Sequence, residues 1–93
     1  MRSVSVAIGS VLRSYTGGAA KVEVAVPQMA PTLADVLEAL ESAHPGIRFR
    51  MVDEAGRVRP HVQVFVGGAI QRDPAAPVPP GAEVFIVGAL SGG

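Results

Sequence analysis

Residue types that commonly do chemistry are sparse in this chain, and none converge. His44 and His61 each stand alone, without a second His or Cys at ligand spacing, and there is no cysteine to serve as thiolate nucleophile or zinc ligand. Asp53-Glu54 and Asp73 fall in turn-like stretches, where side-chain bonds to nearby backbone account for them. The serines nearest the N-terminus have no evident base. Gly17-Gly18 and Gly67-Gly68 lack the Lys-Ser/Thr and the strand-to-helix context of a phosphate loop. An autonomous catalytic site and a metal site are therefore not expected. What remains is the end of the chain, Gly88-Ala89-Leu90-Ser91-Gly92-Gly93, whose reactive group is the Gly93 carboxylate.

Gly92 and Gly93 carry no Cβ, so the backbone can enter a slot too narrow for any side chain. Leu90 is the one large apolar group available to a partner's pocket. At ~3.3–3.6 Å per extended residue, a six-residue tail reaches about 20 Å, enough to enter the active site of a separate enzyme. A carboxylate is a poor electrophile, so it needs another protein to activate it. Adenylation by ATP would do so, and a sulfur nucleophile could then leave a thiocarboxylate at Gly93. A frayed or linker-like end would have the same composition, and the elements before the tail must distinguish the two.

Ninety-three residues, 48% of them hydrophobic, suffice for one small domain. Eight Lys/Arg against eight Asp/Glu give zero net charge, and no basic run offers a footprint for phosphate backbones, so neither nucleic acid nor an anionic membrane is an expected partner. No apolar stretch approaches ~18 residues and the N-terminus lacks a signal pattern, which predicts a soluble cytoplasmic protein.

Val4, Val6 and Ile8 alternate with Ser3, Ser5 and Ala7, and Lys21–Val26 resumes the period of two, predicting an antiparallel pair joined by a loop longer than two residues. Pro31-Thr32-Leu33-Ala34-Asp35 reads as a helix start, with Thr32 as N-cap and Asp35 favourable to the helix dipole. Leu33, Val36, Leu37 and Leu40 form one apolar stripe that must lie against the sheet, with Glu38 and Glu41 turned to solvent, and His44-Pro45-Gly46 ends it. Residues 47–52 predict an irregular or one-turn segment. Val62, Val64 and Val66 mark a third strand, Gly67-Gly68 a tight hairpin into Ala69-Ile70, and Glu83–Val87 a final strand after a Pro-rich crossing. The order is β-β-α-β-β-β, an α+β arrangement.

That order, the final strand and the ending Ala89-Leu90-Ser91-Gly92-Gly93 resemble the ubiquitin-like β-grasp sulfur carriers of the MoaD/ThiS family. The N-terminal Val4-x-Val6-x-Ile8 with Leu12-Arg13-x-x-Thr16-Gly17-Gly18 is similar to the CysO-type branch. The resemblance implies a mixed sheet of four to five strands with one main helix on one face, residues 1–87 forming the domain and 88–93 a flexible tail. It implies a carrier rather than an enzyme, with no bound cofactor; ATP is used by an activating partner of the ubiquitin-activating type. A second partner would be a sulfur-accepting biosynthetic enzyme, serving cysteine, thiosugar, molybdopterin or thiazole formation, and in CysO-type systems a metalloprotease releases the product. Gly93 would carry the thiocarboxylate, with Gly92, Ser91 and Leu90 entering the partner's active site. A plain interaction module and a covalent protein modifier joined through Gly93 are the alternatives.

Strand parity locates the docking face. With Val62, Val64 and Val66 toward the helix, Phe65 points to the other side of the sheet; with Val84 and Ile86 in the core, Phe85 and Val87 do likewise. Phe65, Phe85 and Val87 are thus the expected docking residues. A strongly twisted sheet, with both rings partly covered by residues 47–60 or by the Pro-rich crossing, is the alternative.

Overall fold

The computed structural model describes residues 2–88. Strands β1 (Arg2–Ile8) and β2 (Lys21–Val26) pair antiparallel with Val4 opposite Val24 and Val6 opposite Val22. The alternation read from sequence sets their faces: Val4, Val6 and Ile8 are buried while Ser3, Ser5 and Ala7 are not. The long connection holds a feature absent from the sequence reading, a 3-10 helix over Ser10–Thr16 that closes on Gly17 at φ 65. Its period of about three drives Leu12 into the core and turns Tyr15 half inward.

Helix α1 (Leu33–Ala43) begins as its sequence dictates. Thr32 Oγ1 accepts from the Asp35 N–H at 3.2 Å and Asp35 Oδ2 accepts from the Thr32 N–H at 2.9 Å, a reciprocal cap. Leu33, Val36, Leu37 and Leu40 are no more than 1% exposed. At ~1.5–3 kcal/mol each their burial contributes about 6–12 kcal/mol before entropy, enough to hold the helix on the sheet. Residues 47–52 take the one-turn form: Ile47–Met51 make a short helix, α2, whose Ile47 and Met51 are both fully buried. Glu41 corrects the sequence reading. Its carboxylate is not left to solvent but accepts from the Gly46 and Arg48 N–H groups at 2.9 Å each, closing the α1–α2 turn. Those bonds hold the Glu41 carboxyl below its ordinary pKa.

Strand β3 (Val62–Val66) turns through Gly67 (φ 59) and Gly68 (φ 87) into β4 (Ala69–Ile70), the two positive φ values that a two-residue hairpin of this hand requires. The Pro-rich crossing forms no strand or helix of its own, yet it is pinned to the start of α1. Leu33 N–H donates to Ala76 O at 2.9 Å and Ala34 N–H to Pro74 O at 2.8 Å, satisfying donors a helix start leaves without intrahelical partners. Val78 from the same segment is buried in the core. Strand β5 (Val84–Gly88) then enters the middle of the sheet, parallel to β1 and antiparallel to β3, giving the order β2-β1-β5-β3-β4. The result is a five-stranded mixed sheet with α1 packed on one face, the α+β arrangement the sequence implies.

Candidate functional site

The chain's last described strand is held from both sides. β5 has a partner on each side, and Gly88, assigned to the tail by composition, is its final residue, opposite Val62. The turn after β1 braces this end. Gly9 N–H donates to Ile86 O at 2.8 Å, and a Cβ at Gly9 would stand 3.1 Å from that oxygen and 3.2 Å from Val87 Cα. Contacts that short are tighter than a Cβ ordinarily makes, so a side chain at position 9 would push against the β5 backbone, and glycine is what lets the turn press on it. Sequence reasoning missed Gly9, whose need arises from a neighbour 77 or more positions away in the chain. Leu90, Ser91, Gly92 and Gly93 lie outside the described residues. Residues 89–93 can span about 17 Å from this anchor when extended at ~3.3–3.6 Å each.

The expected parity of the outer face holds. Val62, Val64, Val84 and Ile86 are fully buried on the helix side. Phe65 and Phe85 are opposite neighbours on the other side, their rings stacked at 5.9 Å with 29° between planes. Phe85 is 39% exposed, and Ile70, opposite Phe65 on the edge strand, is 62% exposed. The stacking covers part of each ring. Val87 lies half-buried farther along β5 toward the tail. A hollow of about 390 Å³ is lined by Phe65, Gly67, Gly68, Glu83 and Phe85. Val66 is half-buried against the core, at the margin of the helix-covered face.

Glu83 forms the polar border of this patch. Its carboxylate meets Lys21 Nζ at 2.9 Å and accepts from Ser5 Oγ at 3.4 Å. The bond to Lys21 lowers the Glu83 pKa and raises that of Lys21, each favouring the charged form of its partner. Both side chains are substantially exposed, so the pair frames the patch more than it stabilises the fold. Among the described residues no cluster of three His, Cys, Asp or Glu is placed to hold a metal ion. His44 caps α1 through its backbone, and His61 stands exposed before β3. The described residues offer an apolar sheet face beside a firmly held end of β5.

No family model matches the chain, and no curated protein is significantly similar to it. A chain of the Amycolatopsis orientalis BexX/CysO complex is 31% identical, with 97% of this chain and 99% of that one covered at a TM-score of 0.81. The chain belongs to the ubiquitin-like sulfur carriers of the MoaD/ThiS type. Two further structures agree with that membership. SAMP1 from Haloferax volcanii is 26% identical over 99% of this chain and 100% of its own, with a TM-score of 0.83. CysO from Mycobacterium tuberculosis is 28% identical over 94% and 99%, with a TM-score of 0.81. Full coverage in both directions means that the carrier fold occupies this whole chain, and the five-stranded sheet with its packed helix is the ubiquitin-like β-grasp.

Proposed function

We propose that this protein is a sulfur carrier whose C-terminal glycine is the working group. One observation carries the reading: the strand that ends at Gly88 is clamped in the centre of the sheet, with Gly9 pressed against it, and the sequence beyond it closes on Gly92-Gly93. A rigid exit aimed by two neighbouring strands presents a side-chain-poor end to another protein's active site. An ATP-dependent activating enzyme is the first partner. The Gly93 carboxylate oxygen attacks the α-phosphorus of ATP, pyrophosphate leaves, and an acyl-adenylate forms. A hydrosulfide equivalent delivered by that partner's system adds to the carbonyl carbon and AMP departs, leaving a thiocarboxylate. The thiocarboxylate sulfur is then transferred to a biosynthetic acceptor, and the BexX/CysO complex supports such a carrier–partner pairing. Gly93 contributes the reacting atoms, Gly92 and Ser91 give the narrow profile, and Leu90 supplies the apolar contact.

Likeness to SAMP1 favours one second reading, a modifier joined through the same activated Gly93 to an amine. Both readings begin with adenylation, so the first test is common to them. A chain ending at Gly92 should lose ATP–pyrophosphate exchange with the activating enzyme while its circular dichroism melt stays that of the full chain. Exchange at the full chain's rate would contradict the role of Gly93.

A further inference from the structure

Where β5 ends, the outer face of the sheet changes character. On β3 it runs from Phe65 to Gln63, and just before the strand His61 shares a hollow with Phe49 and Arg50 of α2 and with Arg59. Here two arginines are held by aromatic groups. Arg50 Nε donates to Tyr15 Oη at 2.6 Å with its guanidinium 5.9 Å from the ring centre. Arg59 Nε donates to the Phe49 carbonyl at 2.9 Å, and its guanidinium lies 4.9 Å over the Phe49 ring, which is itself 68% exposed. Arg50 and His61 line two hollows at once. One, of about 190 Å³, also includes Phe49 and Arg59, and the other, of about 270 Å³, includes Tyr15 and Gly88. The second hollow therefore opens at the root of the tail.

Among the described residues the ion pairs are Lys21–Glu83 and Arg57–Asp53, and neither Arg50 nor Arg59 is within salt-bridge distance of a carboxylate. Among the described residues each guanidinium donates only through its Nε, and although Arg59 lies near enough to help hold the Asp53 carboxyl below its ordinary pKa, the terminal N–H groups of both arginines make no hydrogen bond there. Because an aromatic ring already orients each guanidinium, little side-chain entropy is lost when an external acceptor is found. Residues 89–93 reach only about 17 Å beyond Gly88, so a protein that encloses the Gly93 carboxylate must come down over this corner. Apolar or basic surface placed there would strand two desolvated cations; carboxylates would accept bidentate bonds from them.

We infer that Arg50, which shares a hollow with Gly88, and Arg59, which shares the adjoining hollow with Arg50, form the electrostatic half of the docking surface and receive an acidic, Asp/Glu-bearing rim around the channel of the activating enzyme. The Phe65–Phe85 patch is the apolar half. This inference rests on the proposed carrier function. A nucleic acid is the less suitable occupant, since the chain has zero net charge and the two guanidiniums form no stripe to track a phosphate backbone.

The test is stopped-flow association of the full chain with the activating enzyme of the same organism, over a range of salt. The Arg50→Gln/Arg59→Gln double variant should associate about tenfold more slowly at low salt, with the difference vanishing as salt screens the charges. The Arg50→Lys/Arg59→Lys variant, which keeps both charges, should stay within about twofold of the parent rate. Wild-type rates for the Gln variant at every salt concentration would overturn the inference, as would equal slowing of the Gln and Lys variants, which would indicate lost structure rather than lost charge. Preferential binding of a single-stranded oligonucleotide in competition with the enzyme would also overturn it. If the parent chain is adenylated and the Gln variant is indifferent to salt, this inference alone fails; if the parent chain is not adenylated, the carrier reading fails with it.

Discussion

Replacing Phe85 by alanine should separate docking from folding. A phenylalanine offers about 200 Å² of surface, and 39% of this residue remains open in the free chain, which leaves about 80 Å² for a partner. At ~25 cal/mol per Å² that is about 2 kcal/mol of binding, or roughly thirtyfold in Kd. The inner part of the ring stacks on Phe65, so the same substitution removes an aromatic pair and costs the fold about 1–2 kcal/mol. A domain with about 5–15 kcal/mol of net stability tolerates that loss and stays folded. Isothermal titration against the activating enzyme, beside a thermal melt of the same sample, reads both quantities. Val84→Ala, one position earlier on the opposite and fully buried face, should show the reverse: a larger drop in melting temperature with Kd unchanged. A Phe85→Ala chain that melts lower but binds within about twofold of the parent would refute the assignment of this face to docking.

Two further outcomes follow from the exit of β5 and from the α1–α2 turn. Gly9→Val should destabilise the fold by about 1–3 kcal/mol, since its Cβ would press on backbone atoms of Ile86 and Val87. Gly88→Ala, whose Cβ would meet Leu12 and Val11 side chains at ordinary distances of 3.7 and 3.8 Å, should melt close to the parent; equal losses would refute the bracing role of Gly9. The Glu41, Asp53 and Glu83 carboxyls are all held below their ordinary pKa values. A depressed folded pKa contributes stability that is present above the unfolded value and is lost as pH falls through the folded one. Melting temperature should therefore fall on acidification below about pH 4.5, the ordinary Glu value. Glu41→Gln should make that fall shallower, and an unchanged acid slope would refute the part given to Glu41.

Legibility in the sequence tracked how local each feature's cause is. Thr32 and Asp35 cap α1 through bonds three residues apart, and the Leu33-Val36-Leu37-Leu40 stripe needs only helical geometry, so both could be read directly. The outward placement of Phe65 and Phe85 followed from alternation alone. Helix α2 was legible only as an irregular or one-turn segment, because a five-residue helix has little intrinsic stability and this one depends on Glu41 reaching Gly46 and Arg48 and on burial of Ile47 and Met51. The 3-10 helix was hidden similarly, its sequence lacking a period of two or 3.6. Composition marked the Pro-rich crossing as irregular, which it is, but could not show that Pro74 and Ala76 carbonyls would complete the start of α1. The cationic corner was the least legible part, since Tyr15 and Arg50 meet across 35 positions.

The central claim is that Gly93 becomes a thiocarboxylate, and intact-mass spectrometry of the full chain tests it most directly. The chain should be incubated with its activating enzyme, ATP and a sulfide donor, then run beside a sample lacking ATP. An ATP-dependent mass increase equal to replacing one oxygen by sulfur is expected, mapped by fragmentation to Gly93 and absent from a chain ending at Gly92. An unchanged mass under conditions where the same enzyme adenylates a known carrier would contradict it, and conjugates joined through Gly93 to lysines, without any thiocarboxylate species, would establish the modifier reading in its place.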